Sequence, residues 1–235
     1  IGSVKKISRP REYCRDGFFY MDGRVITKLS IQKRNPGRVN VYLDGKFAFG
    51  IPKDAAAGLK TGQELTESEI EKLQERDQKD RALSSALRSL NRRLQSESEL
   101  QKKLIQKGFS PDQIESVMER LKENHLIDDN SFSAMWVENQ TAFRPRSKRM
   151  LTLELKRKGV SEENIRESLK DLDEEKAALD CGLRYMKRLQ GLDRPNFQKK
   201  LSAYLARRGF GYELIDQTVR TLWADIQNSE KDSIL

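Results

Sequence analysis

The sequence predicts a mainly α-helical protein, an elongated tandem array of three three-helix repeats preceded by a small three-stranded antiparallel β meander. Glycines at positions 108, 159 and 209 recur with a period of about 50 residues. Apolar residues recur at matching distances around each glycine, and three segments between residues 24 and 52 alternate apolar and polar residues. A fixed period of this kind is typical of stacked helical units, so the repeat determines the architecture.

Residues 24–60 have the pattern of a β meander. The alternation predicts three strands with one buried face. Asn35-Pro36-Gly37 predicts a turn between the first two strands, and Asp44-Gly45 predicts a tight type I′ hairpin. We expect the helical segment at 61–79 to cover the buried face. The residues expected on that face are Val25, Thr27, Leu29, Ile31, Val39, Val41, Leu43, Phe47, Phe49 and Ile51.

Capping boxes mark the starts of three helices. In this motif a Ser or Thr hydroxyl accepts the backbone N–H three residues later, and the Glu or Gln there reaches back. The first helix is expected to run to Leu94, continuous or with a break near residues 77–80. Gly108 ends the helix that begins at the second box, because a left-handed C′ residue is cheapest as glycine. The three boxes are Thr66 with Glu69, Ser96 with Glu99, and Ser110 with Gln113.

Each repeat is expected to contain three helices whose apolar stripes stack on neighbouring repeats to form one continuous core. The first helix is the least alike among the copies. The helices are predicted at 80–94, 97–107 and 111–124, at 129–142, 146–158 and 162–172, and at 174–190, 195–208 and 212–227. The predicted domains are 80–128, 129–173 and 174–227, with an arm at 1–23 and a tail at 228–235. The stripes comprise Leu100, Leu104, Ile114, Met118 and Leu121, then Leu151, Leu155, Ile165, Leu169 and Leu172, then Leu201, Leu205, Ile215, Val219 and Leu222. First-helix residues expected to be buried are Ala82, Ala86, Leu87, Leu90 and Leu94, Phe132, Trp136 and Val137, and Ala178, Leu183 and Met186.

The composition suits a thin, solvent-rich helical assembly, with 36% apolar and 34% charged residues. No apolar run is long enough to span a membrane, and the first residues lack the apolar core of a secretory signal. Cys14 and Cys181 lie far apart and outside any CxxC motif, so we interpret them as reduced thiols of a cytoplasmic protein.

The charge is concentrated near the N terminus. Residues 1–60 hold thirteen Lys and Arg against five Asp and Glu, which accounts for nearly all of the net charge of +9. The rest of the chain is nearly neutral but segregated into acidic and basic clusters. A basic surface attracts phosphate polyanions or acidic protein faces, although a positive balance can also simply keep a chain soluble.

Catalysis finds little support in the sequence. The single histidine, His125, stands at a predicted helix C terminus, where a partial positive charge is favourable. Asp128-Asp129 is better explained as a helix N-cap than as a metal site. There is no phosphate-binding glycine loop and no pair of ligands with metal-site spacing. We therefore expect no catalytic, cofactor or metal site.

Basic clusters are the candidate partner-binding residues. Pairs in the three repeats fall at similar places near the second helix, so stacking would align them in a stripe. The stripe could contact phosphates, could contact acidic side chains, or could be an ordinary solvated face carrying partners for helix dipoles. The candidates are Arg88, Arg92, Arg93, Lys102, Lys103, Lys107, Arg144, Arg146, Lys148, Arg149, Arg157, Lys158, Lys199, Lys200, Arg207 and Arg208.

Several of these stretches resemble a known family, the RecX regulatory proteins of bacterial recombinase. The resemblance covers about residues 80–225, and it is specific because several motifs follow one another in order at the right spacing. The segment from Ile26 to Pro52 looks like the version found in Gram-positive members. The stretches are Ala86-Leu87-Arg88 with Arg92-Arg93 and Ser96 to Leu100, Leu104 to Phe109, Leu126 to Asp129 with Phe132, Glu154 to Val160, and Tyr204 to Phe210.

The resemblance implies a curved array without catalytic activity that binds filaments of RecA on single-stranded DNA. Such proteins lodge in the helical groove and dampen ATP hydrolysis, strand exchange and filament growth. It implies the RecA filament as partner, with single-stranded DNA contacted directly or through it, and we expect a monomer without membrane association. A direct nucleic-acid binder and a helical scaffold for an unrelated partner remain alternatives, and an enzyme is the weakest class.

Overall fold

The computed structural model describes residues 23–232, with side chains up to residue 227. The chain divides into two compact units between residues 78 and 79. The predicted arm, with Cys14, lies outside the described residues except for Gly23. The predicted tail begins within the last helix, which continues to Asp232.

The first unit contains a four-stranded antiparallel sheet. The strands are β1 (Arg24–Gln32), β2 (Asn35–Leu43), β3 (Lys46–Pro52) and β4 (Glu64–Leu65), in the order β3-β2-β1-β4. The first three form the predicted meander, and Asp44-Gly45 makes the expected tight turn with both residues at positive φ. The short β4, which pairs with β1, was not predicted because two residues carry no detectable alternation.

The predicted buried face of β1 is out of phase. Ile26 is fully buried, whereas Val25 and Ile31 are exposed. A register shift between Ile26 and Lys28 changes the alternation, so Leu29 also packs on the core although it lies three residues beyond Ile26. Phe47, at the start of β3, is exposed as well. A bulge shifts the phase of every later side chain, and simple alternation cannot detect it.

The turn expected at residues 35–37 lies two residues earlier. Gln32 pairs with Asn35, so Lys33 and Arg34 make the turn. Asn35-Pro36-Gly37 instead forms an irregular start of β2, where the Asn35 side chain accepts the Gly37 N–H at 3.3 Å. The short polar side chain and the proline therefore mark a strand irregularity rather than the turn itself.

Helical residues cover the sheet, as expected. The short helix α1 (Lys53–Ala56) and the first turns of α2 (Glu67–Leu90) contribute Ala56 and Ile70 to the buried cluster. Arg38 of β2 forms an ion pair with Asp77 of α2 at 2.8 Å and also donates to the Gly50 carbonyl. The predicted box at the start of α2 is formed in both directions between Thr66 and Glu69.

The second unit contains the end of α2 and eight further helices among the described residues. With α2 they form three consecutive three-helix repeats, and α2 is continuous through residues 77–80. Within the described part of the chain, no helix is long and apolar enough to span a membrane. The other helices are α3 (Glu97–Gln106), α4 (Pro111–Glu123), α5 (Asp129–Phe143), α6 (Lys148–Arg157), α7 (Glu162–Leu169), α8 (Glu174–Met186), α9 (Arg194–Arg207) and α10 (Tyr212–Asp232).

The apolar stripes are buried, but they do not form the continuous core that was expected. Each repeat has its own cluster, centred on Leu100 and Leu104, on Leu151 and Leu155, and on Leu201 and Leu205. Three short helices thus suffice to enclose one stripe. Within the first helices, the burial expected for Leu94 and Leu183 is wrong. Both are exposed, because α2 ends before Leu94 and α8 buries Ala177, Ala178 and Cys181 instead.

Candidate functional site

Polar contacts join consecutive repeats. At the first junction, between repeats one and two, the Ser96 hydroxyl donates to the Lys158 carbonyl at 2.5 Å. The Asp129 carboxylate accepts the Glu97 N–H at 2.8 Å. Each contact joins the N terminus of the second helix in repeat one to repeat two, at the C terminus of α6 and at the start of α5.

The second junction, between repeats two and three, uses the same elements. The Ser147 N–H donates to the Arg208 carbonyl at 3.2 Å. The Glu174 carboxylate accepts the Lys148 N–H at 3.1 Å, as Asp129 does for Glu97. The two junctions are therefore equivalent in architecture, and their side chains can be compared position by position.

Glycine permits the close approach at both junctions. Gly159 and Gly209 have φ of +81° and +90°. A Cβ atom at Gly159 would lie 2.3 Å from the Ser98 Cβ, and one at Gly209 would lie 2.5 Å from the Ser147 Oγ. Gly108 has the same φ but open space around it. Positions 159 and 209 thus require glycine for backbone conformation and for packing, whereas position 108 requires it only for conformation.

Glu99 forms ion pairs with two cations at the first junction. Its carboxylate lies 3.0 Å from Arg93 and 3.0 Å from Lys158. Burial opposes ionisation of Glu99, but the hydrogen bonds from Arg93 and Lys158 outweigh burial and lower the pKa of this carboxyl. The predicted capping box is consequently only half formed. Ser96 accepts the Glu99 N–H, while the Glu99 side chain binds the two cations instead of reaching back.

Lys158 is committed to the interior of the first junction. Besides Glu99, its ammonium lies 4.1 Å from the ring centroid of Trp136 and 5.7 Å from that of Phe132. Only 16% of its side chain is exposed. The structure thus places this predicted partner-binding residue where it stabilises the stacking of two repeats.

Two further candidates bind within repeat one. Lys103 donates to the Ser89 hydroxyl at 3.2 Å and to the Gln95 side chain. Lys107 donates to the Ser85 hydroxyl at 2.5 Å. These lysines tie α3 to the end of α2, which leaves them fewer donors for an external partner.

The second junction has no counterpart of Glu99. Met150 stands at the equivalent place, because its N–H bonds to the N-cap Ser147 hydroxyl as the Glu99 N–H bonds to Ser96. Around Met150 lies an open pocket of about 270 Å³ whose other lining residues are all arginines. No carboxylate is among the lining residues. The four arginines are Arg144, Arg146, Arg207 and Arg208.

The pocket holds its arginines in place by contacts within the repeats. Arg208 donates to the Tyr204 hydroxyl at 3.1 Å and lies over its ring, which in turn stacks on Tyr185 at 3.9 Å. Arg146 forms an ion pair with Glu154 of α6. Burial, and then the charges of Arg208 and Arg144, lower the pKa of Arg146, as expected where cations gather.

The candidates divide into engaged and available side chains. Arg93, Lys103, Lys107, Arg146, Lys158 and Arg208 have partners within the second unit. Lys148 is half-buried, and its backbone takes part in the second junction. The rest are exposed and form no ion pair with another described side chain. They are Arg88, Arg92, Lys102, Arg144, Arg149, Arg157, Lys199, Lys200 and Arg207.

A helix-dipole role accounts for part of this pattern. A cation in the last turn of a helix gains roughly 0.3–1 kcal/mol from the macrodipole, and Arg207 and Arg208 end α9. That gain is small and does not require arginines from two helices to face one pocket. The convergence of Arg144 with Arg207 therefore calls for a second explanation.

Among the described residues, the side chains considered for metal binding or catalysis do not come together in a site. Asp128 is the N-cap of α5, as expected, and accepts the N–H groups of Asn130 and Ser131. His125 follows the end of α4 with φ of +52°. Among residues 23–232, no group of His, Cys, Asp or Glu could hold a metal ion. Burial raises the pKa of the Cys181 thiol, which is a packing residue of repeat three.

Sequence reasoning missed three features of this surface. It did not identify Glu99 as the partner of two cations or Met150 as its uncharged counterpart. It also gave no role to Phe143 and Tyr212, whose residues are 74% and 83% exposed. The available signal was an alignment of the repeats on their N-cap serines, which sets Glu99 opposite Met150.

Comparisons with known proteins cover both units. The family models describe the N-terminal domain of regulatory protein RecX (residues 24–66) and the first, second and third three-helix domains of RecX (residues 82–121, 128–169 and 173–219). Together they match well over half of the chain.

Individual relatives agree with the family models. Regulatory protein RecX of Bacillus licheniformis is 30% identical over 210 residues, covering 87% of this chain and 79% of the relative. That of Bacillus subtilis is 28% identical over 89% and 81% of the two chains. A crystal structure of regulatory protein RecX matches with a TM-score of 0.62 at 26% identity, covering 83% of this chain and 98% of the other. The resemblance inferred from the motifs is thus confirmed, and this chain belongs to the RecX family of regulatory proteins.

Proposed function

We propose that this protein regulates homologous recombination and DNA repair by binding RecA–single-stranded-DNA filaments in their helical groove. Bound there, it inhibits ATP hydrolysis, strand exchange and filament growth. As a RecX regulatory protein the chain is not an enzyme, as the sequence analysis predicted. The observation that supports this proposal best is family membership across the N-terminal domain and all three helical domains.

The available cations support the proposal physically. Exposed Lys and Arg lie in each of the three repeats, for example Lys102, Arg157 and Arg207. Many weak contacts made by one chain add up, because the first contact raises the effective concentration for the next. A filament of nucleic acid and protein offers repeated phosphates and carboxylates to such a ligand.

The proposed organisation follows the repeats. It comprises an arm at 1–23, a sheet domain at 24–60, a connecting segment at 61–79 and repeats at 80–128, 129–173 and 174–227, with a tail at 228–235. We place the protein in the cytoplasm, because that is where its partner assembles on DNA. We propose that it acts as a monomer.

Co-sedimentation with RecA filaments on single-stranded DNA tests the proposal. We expect the protein to pellet with filaments and to inhibit their DNA-dependent ATP hydrolysis at low micromolar concentration. Pelleting with neither filaments nor DNA, together with unchanged hydrolysis, would contradict it.

A second candidate function is direct binding of nucleic acid. The arginine pocket at the second junction favours it, because its lining contains four guanidinium groups and no carboxylate. Affinity for free DNA that falls steeply with salt and does not depend on recombinase would distinguish this function from filament binding.

A further inference from the structure

We propose that the arginine pocket at the second junction is a binding site for a backbone phosphate of single-stranded nucleic acid, with Phe143 and Tyr212 as the adjoining surfaces on which bases stack. The inference rests on the proposed function only in its choice of nucleic acid as the ligand. The pocket itself follows from the comparison of the two junctions.

The second junction lacks the carboxylate that pairs with the cations of the first. At the first junction one carboxylate, Glu99, lies 3.0 Å from Arg93 and 3.0 Å from Lys158. Arg144 is equivalent to Arg93, because each lies three residues before its N-cap serine. Arg208 is equivalent to Lys158, because the carbonyl of each bonds to that serine. Met150, in the place of Glu99, supplies no charge. The second junction therefore has the cations of the first without the anion that is paired with them.

Further arginines line the pocket at the second junction. Arg146 stands where the first junction has Gln95, and it lies among the lining residues with Arg207. Only one carboxylate, that of Glu154, is paired with Arg146, and Glu154 is not among the lining residues. Arg144, Arg207 and Arg208 form no ion pair with another described side chain. Like charges that converge repel one another, so an anionic ligand relieves the repulsion when it enters.

The geometry of the guanidinium groups favours a phosphate as the ligand. Guanidinium groups donate in a planar fork that matches phosphate oxygens, and several of them around one concavity can surround a phosphate. Arg208 is already oriented by Tyr204, which reduces the entropy cost of binding. A pocket of about 270 Å³ that is open to solvent admits a phosphate group carried by a larger chain.

Two exposed aromatic residues favour single-stranded nucleic acid over an acidic protein face as the ligand. Phe143 immediately precedes Arg144, and Tyr212 follows Arg208 by four residues. Both residues are mostly exposed, at 74% and 83%. Cationic grooves flanked by exposed aromatic rings are typical of single-strand binding, because each base presents a face that can stack.

Fluorescence anisotropy with a labelled oligothymidine, in the absence of recombinase, tests the inference. Met150→Glu restores the carboxylate found at the first junction. We expect it to weaken binding by about tenfold or more. The slope of log affinity against log salt should flatten by about 0.7 for each phosphate that the variant no longer neutralises. Met150→Gln has nearly the same shape without the charge and should weaken binding much less.

Gln190→Glu is the matched control. It changes the net charge by the same amount at an exposed position outside the pocket lining, so affinity should change by less than about twofold. Phe143→Ala and Tyr212→Ala should each weaken binding by about fivefold to a hundredfold, with the salt slope retained. If circular dichroism shows that Met150→Glu does not fold, the double variant Arg144→Gln, Arg207→Gln makes the same test, because both side chains are exposed.

The opposite results would overturn the inference. Equal affinity of the wild type, Met150→Glu and the double arginine variant for oligothymidine would exclude the pocket. A polyglutamate peptide that displaces oligothymidine at equal charge concentration would assign the pocket to an acidic protein face. A wild type that pellets with recombinase filaments but does not bind oligothymidine would refute the phosphate site and leave the proposed function intact. Oligothymidine binding through the pocket without pelleting would do the reverse.

Discussion

The two junctions between repeats share one backbone design but differ in how their cations are paired. In both, the N-cap serine of one repeat meets the end of the second helix in the next, and a glycine at positive φ allows the approach. In the first, Glu99 forms ion pairs with Arg93 and Lys158, whereas in the second Met150 supplies no carboxylate to the equivalent arginines. A repeated fold can thus keep its connections while one side chain changes a structural junction into a binding site.

The largest effect expected concerns the cores that both junctions connect. Leu104→Ala and Leu155→Ala should each lower the free energy of unfolding by roughly 2–5 kcal/mol, because each leucine is essentially fully buried within its repeat. Chemical denaturation measures this decrease. A decrease below about 0.5 kcal/mol, as for a surface site, would contradict the separate cores.

Alanine substitutions at two glycines separate the energetic cost of a left-handed backbone from the cost of steric overlap at the junction. Gly159→Ala should cost about 2–4 kcal/mol, since the left-handed backbone and the overlap with Ser98 add together. Gly108→Ala is the matched control and should cost about 1–2 kcal/mol, because its added methyl group meets no neighbouring atom. Equal costs for the two variants would show that the close approach at the first junction carries no energetic weight.

Removing the carboxylate of the first junction should destabilise it. Glu99→Gln leaves Arg93 and the mostly buried Lys158 without an anion, and we expect a decrease in unfolding free energy of about 1–3 kcal/mol, between the values typical of exposed and buried ion pairs. Urea denaturation at low and high salt gives the value. An unfolding free energy equal to that of the wild type would mean that the pairs contribute nothing.

The smallest effect is the pH dependence of the same pairs. The folded-state pKa of Glu99 lies below its ordinary value of 4.5, so its contribution is present above that value and is lost as pH falls through the folded pKa. The difference in unfolding free energy between wild type and Glu99→Gln should therefore shrink on acidification. A difference that stays constant down to strongly acidic pH would contradict the assignment.

Local patterns predicted most of the helices. The capping boxes placed the starts of α2 and α4, and the glycine period placed the ends of the second helices, because these signals lie within a few residues of one another. The register of β1 could not be predicted, since the bulge after Ile26 leaves no mark in the alternation. Whether a stripe closes within its own repeat or on its neighbour depends on helix packing, which periodicity does not encode.

The candidate surface was predicted as a set of basic residues but not as a site. Which cations are available depends on contacts between residues far apart in the sequence, such as Glu99 with Lys158 and Ser85 with Lys107. Arg144 and Arg207 were both identified, yet their convergence required the stacking of repeats two and three. Basic composition therefore predicted an anion-binding surface, whereas the fold determines which of the basic side chains are available for binding.

The reciprocal exchange of Glu99 and Met150 shows whether the side chain at this position determines anion binding at each junction. Anisotropy with labelled oligothymidine should show affinity weakened about tenfold for Met150→Glu, strengthened affinity for Glu99→Met, and an affinity for the double variant between those of the two single variants. These results would show that one position per repeat decides whether a junction binds anions. Identical affinities for the wild type and all three variants would contradict the assignment of anion binding to this position.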